Sequence, residues 1–141
     1  MKEAKVISRF TLFSVKDKCI HDYGKIVGLL PNPNSTHIKG ENRYLSDGRL
    51  HPNSYKETSF DFEFTDNVFE LEKVHDSWIK FWEPYIGILR EIKAEYDFQY
   101  HLNYEVIIYN LDYPSIYLSV KFSKVLSDLG IEFSMFFYNE G

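Results

Sequence analysis

Residues 60–65 read FDFEFT, and the prediction of the fold class begins with this stretch. Its three phenylalanines alternate with Asp61, Glu63 and Thr65. Alternation with a period of two is typical of a β-strand that packs one face against a core and leaves the other face to water. We therefore predict a strand over residues 55–65, with the phenylalanines pointing inward and the two carboxylates pointing outward.

Three further stretches alternate in the same way and supply the rest of a sheet. They are residues 6–15, with Val6, Phe10 and Leu12 on one face, and residues 98–109 and 131–138, with apolar side chains at every second position. Polar side chains lie opposite their packed faces, as they do in FDFEFT: His101, Glu105, Glu132 and Ser134. If these strands are neighbours, these side chains share one surface with the carboxylates of FDFEFT. We interpret that surface first as a solvated face and second as an interaction surface. An active site is the least favoured interpretation, because exposed charge alone rarely marks catalysis.

Between the strands, apolar residues recur with the spacing of an α-helix. The longest stripe advances by three or four residues at each step. Its members are Leu71, Val74, Trp78, Trp82, Tyr85, Leu89, Ile92 and Tyr96. Pro84 interrupts this stripe, so we expect two helices that meet near it, or one kinked helix. Asp66 or Asn67 is expected to cap the first helix, and a later helix is predicted to begin after Ser119 and to end at Gly130.

These elements predict an α+β fold, a single domain over residues 1–141. We expect an antiparallel or mixed sheet with helices packed mainly on one face. The strand–helix–strand segments at 6–30, with a helix over 19–28, and at 116–138 also suit a ferredoxin-like arrangement. The intervening segment 31–54 is rich in Pro, Asn, Ser and Gly and is predicted to be irregular, apart from a hairpin turn at Asp47-Gly48.

Charge is unevenly distributed along the chain. Residues 1–57 contain ten Lys/Arg and six Asp/Glu, a balance of +4, whereas residues 58–141 contain six and fifteen, a balance of −9. An acidic chain binds phosphate backbones poorly, so we expect no nucleic-acid partner. No apolar run approaches the roughly 18 residues that cross a membrane, and the N-terminus does not resemble a signal peptide. Since Cys19 is the only cysteine, we predict a cytoplasmic protein.

A set of short motifs spread over nearly the whole chain resembles a known family. The motifs are Gly28-Leu29-Leu30-Pro31, Thr36-His37-Ile38-Lys39-Gly40-Glu41, Glu95-Tyr96-Asp97, Asp128-Leu129-Gly130-Ile131 and the Phe136-Phe137-Tyr138 ending. Together they resemble the bacterial domain-of-unknown-function family numbered 4279. That family tends to begin the strand after the loop with tryptophan, and here Phe60 stands in its place. The resemblance implies a bacterial source and an α+β fold, and it brings no catalytic residues with it.

No catalytic, metal-binding or cofactor-binding residue is predicted. The five histidines lack the paired spacing of zinc ligands. Cys19 and His21 are two residues apart, whereas a nucleophile and its base are normally distant in sequence. His75, Asp76 and Ser77 are the three residue types of a hydrolase triad, but successive helical residues point about 100° apart and cannot align.

The first functional hypothesis is a non-enzymatic protein-binding domain that meets a basic partner. An immunity protein that neutralises a toxin domain is its sharpest form, in which the acidic C-terminal part covers a basic active-site cleft. The predicted contact residues are Asp61, Glu63, Glu70, Glu72 and Asp76.

Two alternatives remain open at this point. One is an enzymatic or small-ligand domain with a pocket under the 31–54 segment. Its predicted lining consists of His37, Lys39, Glu41, Arg43 and His51. The other is a homodimer built through an exposed sheet edge.

Overall fold

A computed structural model describes residues 2–16, 25–26 and 28–140 of the chain. The strands are β1 (Ala4–Ser14), β2 (Ser35–His37), β3 (Thr58–Val68), β4 (Gln99–Ile108) and β5 (Ile131–Asn139). The helices are α1 (Glu72–Trp82), α2 (Ile86–Glu95) and α3 (Val120–Leu129), with a 3₁₀ turn (Glu83–Tyr85) between α1 and α2. The helix predicted over 19–28 falls mostly outside the described residues, as do Cys19 and His21.

The strands form one mixed sheet in the order β2-β3-β1-β4-β5. β1 lies at the centre and is antiparallel to both neighbours, with Phe10 opposite Phe62 on one side and Leu102 on the other. β5 runs parallel to β4, because α3 carries the chain back along the sheet between them. The predicted α+β class, with its mixed sheet, is confirmed.

One face of the sheet carries the core and the helices. Among the described residues, Phe10 contacts four rings, with centroid distances of 5.4 Å to Trp82, 5.7 Å to Tyr100, 6.1 Å to Trp78 and 6.3 Å to Phe62. This clustering of large aromatic side chains supplies most of the hydrophobic stabilisation, since each buries about 150–250 Å². The inward direction predicted for the FDFEFT phenylalanines is confirmed.

The division between α1 and α2 and both ends of α3 follow from local sequence as predicted. Pro84 occupies the 3₁₀ turn, where the stripe divides into α1 and α2. Ser119 Oγ accepts a hydrogen bond from the Phe122 N–H at 3.1 Å and caps α3. Gly130 ends α3 with φ 64°, a left-handed conformation that glycine adopts without a Cβ penalty.

Three local predictions are wrong. Neither Asp66 nor Asn67 caps α1, because β3 continues to pair with β1 through both residues and the helix begins at Glu72. Residues 116–118, which would supply the first strand of the predicted strand–helix–strand segment at 116–138, join no strand of the sheet. The ferredoxin-like arrangement does not appear in the described residues, because β4 and β5 pair directly and leave no place for a strand to split the βαβ unit.

Candidate interaction surface

The outer face of the sheet is open, and its two predicted acids already have partners. Asp61 accepts hydrogen bonds from Thr11 Oγ1 at 2.7 Å and from Ser35 Oγ at 2.9 Å. Glu63 Oε2 lies 2.8 Å from a terminal nitrogen of Arg9, and this half-exposed ion pair raises the pKa of Arg9. The charges of Asp61 and Glu63 are therefore partly neutralised within the sheet itself.

His101, Asn103 and Ser134 form a separate hydrogen-bonded group on this face. β1 lies between β3 and β4, so the acids of β3 do not neighbour the β4 and β5 side chains directly. Ser134 Oγ donates to Asn103 Oδ1 at 2.7 Å and lies 2.9 Å from His101 Nε2. A hydroxyl has one proton to give, so His101 must donate to Ser134 here. His101 therefore does not act as a base toward Ser134 in this arrangement. We interpret the three hydrogen-bonded side chains as structural.

Glu70, Glu72 and Asp76 lie on the other side of the sheet. Glu72 and Asp76 are on α1, which packs on the core face, so a partner seated on these acids would not reach Asp61 or Glu63. The five predicted contact residues are therefore divided between two surfaces of the molecule.

His75, between these acids in sequence, points into the core and away from any site. It is buried, its ring stacks on Phe122 at 4.0 Å, and its Nδ1 lies 2.8 Å from the Tyr104 hydroxyl. Burial lowers the pKa of His75 to about 4, partly offset by Asp76 and the Tyr117 backbone. Burial also raises the pKa of Tyr104. His75 is therefore neutral at physiological pH, and His75, Asp76 and Ser77 do not form a triad.

Within the segment predicted to be irregular, residues 35–37 form β2 and pair with β3, and residues 40–55 form an irregular hairpin with a pocket at its base. Its backbone pairs Arg43 with His51 and Leu45 with Arg49, and the predicted Asp47-Gly48 turn closes it. The pocket has a volume of about 330 Å³. It is lined by His37, Arg43, Tyr55, Lys56, Glu57 and Ser59.

Two of the five side chains predicted for this pocket reach it. The His37 ring stacks on Tyr55 at 4.2 Å, and the Arg43 guanidinium lies 5.3 Å from the centre of the Tyr55 ring. Lys39, Glu41 and His51 do not line it. The Lys39 ammonium donates to the Val15 carbonyl at 2.7 Å, and His51 Nδ1 accepts from the Asn53 N–H at 3.0 Å.

A third surface, which the sequence analysis did not identify, is apolar. Large apolar side chains are exposed at the end of the sheet where β3 and β4 finish and α1 and α3 begin. We call this surface the apolar end; it consists of Phe69, Leu111, Tyr113, Ile116, Tyr117, Leu118 and Val120. Val120, the first residue after the cap of α3, is 82% exposed. Exposed apolar side chains gathered at one end of a domain are typical of interaction sites in soluble proteins.

Hydrogen bonds fix the apolar end against the start of α1. The Leu71 N–H donates to the Ser115 carbonyl at 3.0 Å, and the Ser115 N–H donates to the Phe69 carbonyl at 2.9 Å. Glu70 forms a parallel bridge with Ser115, so Glu70 and the first turns of α1 border the apolar residues. Glu70, Glu72 and Asp76 therefore form an acidic margin to the apolar end. The signal in the sequence is the unpatterned run IYLSV after Pro114, which has neither helical nor strand periodicity.

No protein-family model, curated protein or solved structure matches the chain. The resemblance to the family numbered 4279 stays a prediction. Among the residues that the structure describes, no three His, Cys, Asp or Glu side chains are grouped as metal ligands would be. None of the described helices is long and apolar enough to cross a membrane.

Proposed function

We propose that this chain is a non-enzymatic protein-binding domain and that the apolar end is its contact surface. The observation that carries the proposal is the exposure of seven large apolar side chains at one end of the sheet. A partner that covers them removes apolar area from water, which is the main favourable term in most protein association. The proposal includes a bacterial, cytoplasmic setting, in keeping with the resemblance to the family numbered 4279.

The acidic margin indicates the charge of the proposed partner, which should be positive at the contact. Glu70, Glu72 and Asp76 would attract a basic surface and raise the association rate, while the apolar contact would hold the complex together. A toxin domain with a basic active-site cleft fits both features, and covering that cleft would neutralise it. The proposed role is therefore that of an immunity protein.

The protein encoded by the reading frame directly upstream is the first partner to test. With the upstream-encoded protein as ligand, we expect Val120→Asp to weaken binding at least about tenfold, mainly through faster dissociation. The folded state should tolerate the change, because a carboxylate in the first turn of a helix is favourable. Leu50→Asp is the matched control, since Leu50 is also exposed but lies in the hairpin far from the apolar end. Equal binding by the two variants would show that the apolar end is not the contact surface.

Neutralising the acidic margin should change the association rate rather than the dissociation rate. We expect the triple variant Glu70→Gln, Glu72→Gln, Asp76→Asn to slow association and to weaken its dependence on salt. The control is Asp61→Asn with Glu63→Gln, which removes acids from the opposite face. Surface plasmon resonance at two salt concentrations measures both variants. A larger effect from the control pair would move the contact surface to the open face of the sheet.

A second candidate function is the binding of a small aromatic anion in the hairpin pocket. Arg43 and Lys56 face this pocket, and the stacked His37 and Tyr55 rings offer an aromatic wall. With phenyl phosphate as the probe, we expect Arg43→Gln to weaken binding about tenfold, because a charge-assisted hydrogen bond contributes about 1.5–3 kcal/mol. Arg49→Gln is the control, since Arg49 lies in the same hairpin but pairs with Asp47. Absence of binding by the wild-type chain in calorimetry would eliminate this candidate.

A further inference from the structure

β5 is a long edge strand that lacks the lysine and proline with which edge strands are commonly protected. It has nine residues and pairs only with β4. Natural edge strands are normally guarded by lysine, proline, a bulge or a covering segment, because their unpaired backbone groups recruit further strands. The β5 sequence IEFSMFFYN contains neither lysine nor proline, and four of its last five side chains are aromatic or methionine.

The backbone groups that face the free side of β5 can be identified. The Glu140 N–H donates to the Ile108 carbonyl of β4 at 2.9 Å. In a parallel strand, the N–H and C=O of one residue point to the same side, and successive residues alternate. The even-numbered residues of β5 therefore bond to β4, whereas Phe133, Met135 and Phe137 direct their N–H and C=O groups to the free edge. Nothing in the described part of the chain pairs with them.

We propose that β5 pairs antiparallel with β5 of a second copy of this chain, with the dyad at Met135. Phe133 then lies opposite Phe137 of the second copy, and both exchange hydrogen bonds through groups that already face the edge. The two five-stranded sheets become one ten-stranded sheet. On its core side, Phe133, Met135 and Phe137 of both copies form a continuous apolar seam.

The length of β5 and its charges together favour this register. With the dyad at Met135, Glu132 lies opposite Tyr138 of the second copy and Ser134 lies opposite Phe136. With the dyad moved to Phe136, Glu132 would instead lie opposite Glu140 of the second copy, and directly opposed like charges destabilise strand pairing. The Met135 register also pairs the whole length of the strand.

The dimer does not rest on the proposed function. The two surfaces adjoin where the Tyr113 ring lies 6.1 Å from Phe137. The dimer uses backbone groups of β5, however, and needs no residue of the apolar end, so either proposal can fail alone. The two are distinguished by their tests, since β5 variants should change self-association in the absence of any partner.

Two variants of Tyr138 test both the dimer and its register. Tyr138 is half exposed and lies beside Ile107 within its own sheet, so either substitution leaves the intramolecular charge pattern acceptable. Tyr138→Glu places a carboxylate opposite Glu132 of the second copy at two symmetric positions, and Tyr138→Lys places an ammonium there. Because both variants lose the same aromatic side chain, we expect the dimer of Tyr138→Glu to dissociate at least roughly tenfold more readily than that of Tyr138→Lys.

Light scattering and amide exchange on the wild-type chain provide the reference. The mass should rise from 16.8 kDa toward twice that value with concentration. The Phe133, Met135 and Phe137 amides should become protected as the dimer forms, while those of Ser134 and Phe136 are protected at every concentration by β4. A mass of 16.8 kDa at all concentrations would overturn the proposal. So would a dimer without protection of the odd-numbered amides, or one equally stable in both Tyr138 variants.

Discussion

Replacing Trp78 by alanine is expected to lower the free energy of unfolding by about 3–5 kcal/mol. The side chain is fully buried, and its ring lies 4.6 Å from Phe64, 5.4 Å from Phe81 and 5.8 Å from Trp82. The substitution therefore removes a large apolar group from the centre of the helix–sheet contact and leaves a cavity. Urea unfolding followed by circular dichroism measures the loss.

A hydrogen bond adds a polar component to this effect. Trp78 Nε1 donates to Ser8 Oγ at 2.8 Å, and both groups are buried. Ser8→Ala keeps the indole but removes its acceptor, so we expect a loss of about 1–3 kcal/mol. In a chain that already carries Trp78→Ala, the Ser8→Ala substitution should lower the free energy of unfolding much less, because the indole N–H that donates to Ser8 is already absent. Additive losses in the double variant would show that the bond contributes nothing.

Acidification is expected to destabilise the fold through His75. Its pKa is about 4 in the folded chain and about 6.5 when unfolded, so between these values the unfolded chain binds more protons. Stability contributed by the neutral ring is intact above pH 6.5 and is lost as the pH falls toward 4. The shift corresponds to up to about 3 kcal/mol.

The His75→Gln variant isolates this contribution. Glutamine does not titrate but can still hydrogen-bond to the Tyr104 hydroxyl. The free energy of unfolding of the variant should therefore fall less steeply between pH 6.5 and pH 4 than that of the wild-type chain. Carboxylates titrate alike in both proteins, so the difference between the two curves belongs to His75. Parallel curves would mean that His75 is protonated without cost in the folded chain.

The core was predictable from the sequence because it depends on periodicity. The FDFEFT alternation and the stripe through Trp78 and Trp82 each specify which face of the element is buried, whichever elements pack against it. The end of a strand is harder to predict. Asp66 and Asn67 have the chemistry of helix caps, but the β1 register draws both into the sheet. Asp66 then points to the core side, where one of its carboxylate oxygens is enclosed and has no hydrogen-bond partner among the described residues.

The candidate surface was predictable only in part, because it depends on strand order. A net charge of −9 in residues 58–141 says nothing about which side of a sheet each acid occupies. Asp61 and Glu70 are nine residues apart, yet β3 carries the first on the open face and the second to the margin of the apolar end. Likewise, residues 116–118 resemble a buried strand by composition, and only the direct pairing of β4 with β5 leaves them outside the sheet.

The central position of β1 has a consequence for how the chain is made. Phe10 emerges from the ribosome early, but its partner on β4, Leu102, follows 92 residues later. At a synthesis rate of about 5–20 residues per second, that interval lasts roughly 5–20 s. During this time β1, an apolar strand that can pair along both edges, lacks its neighbour β4. Aggregation during translation, rather than instability of the finished protein, is therefore where this topology is most vulnerable.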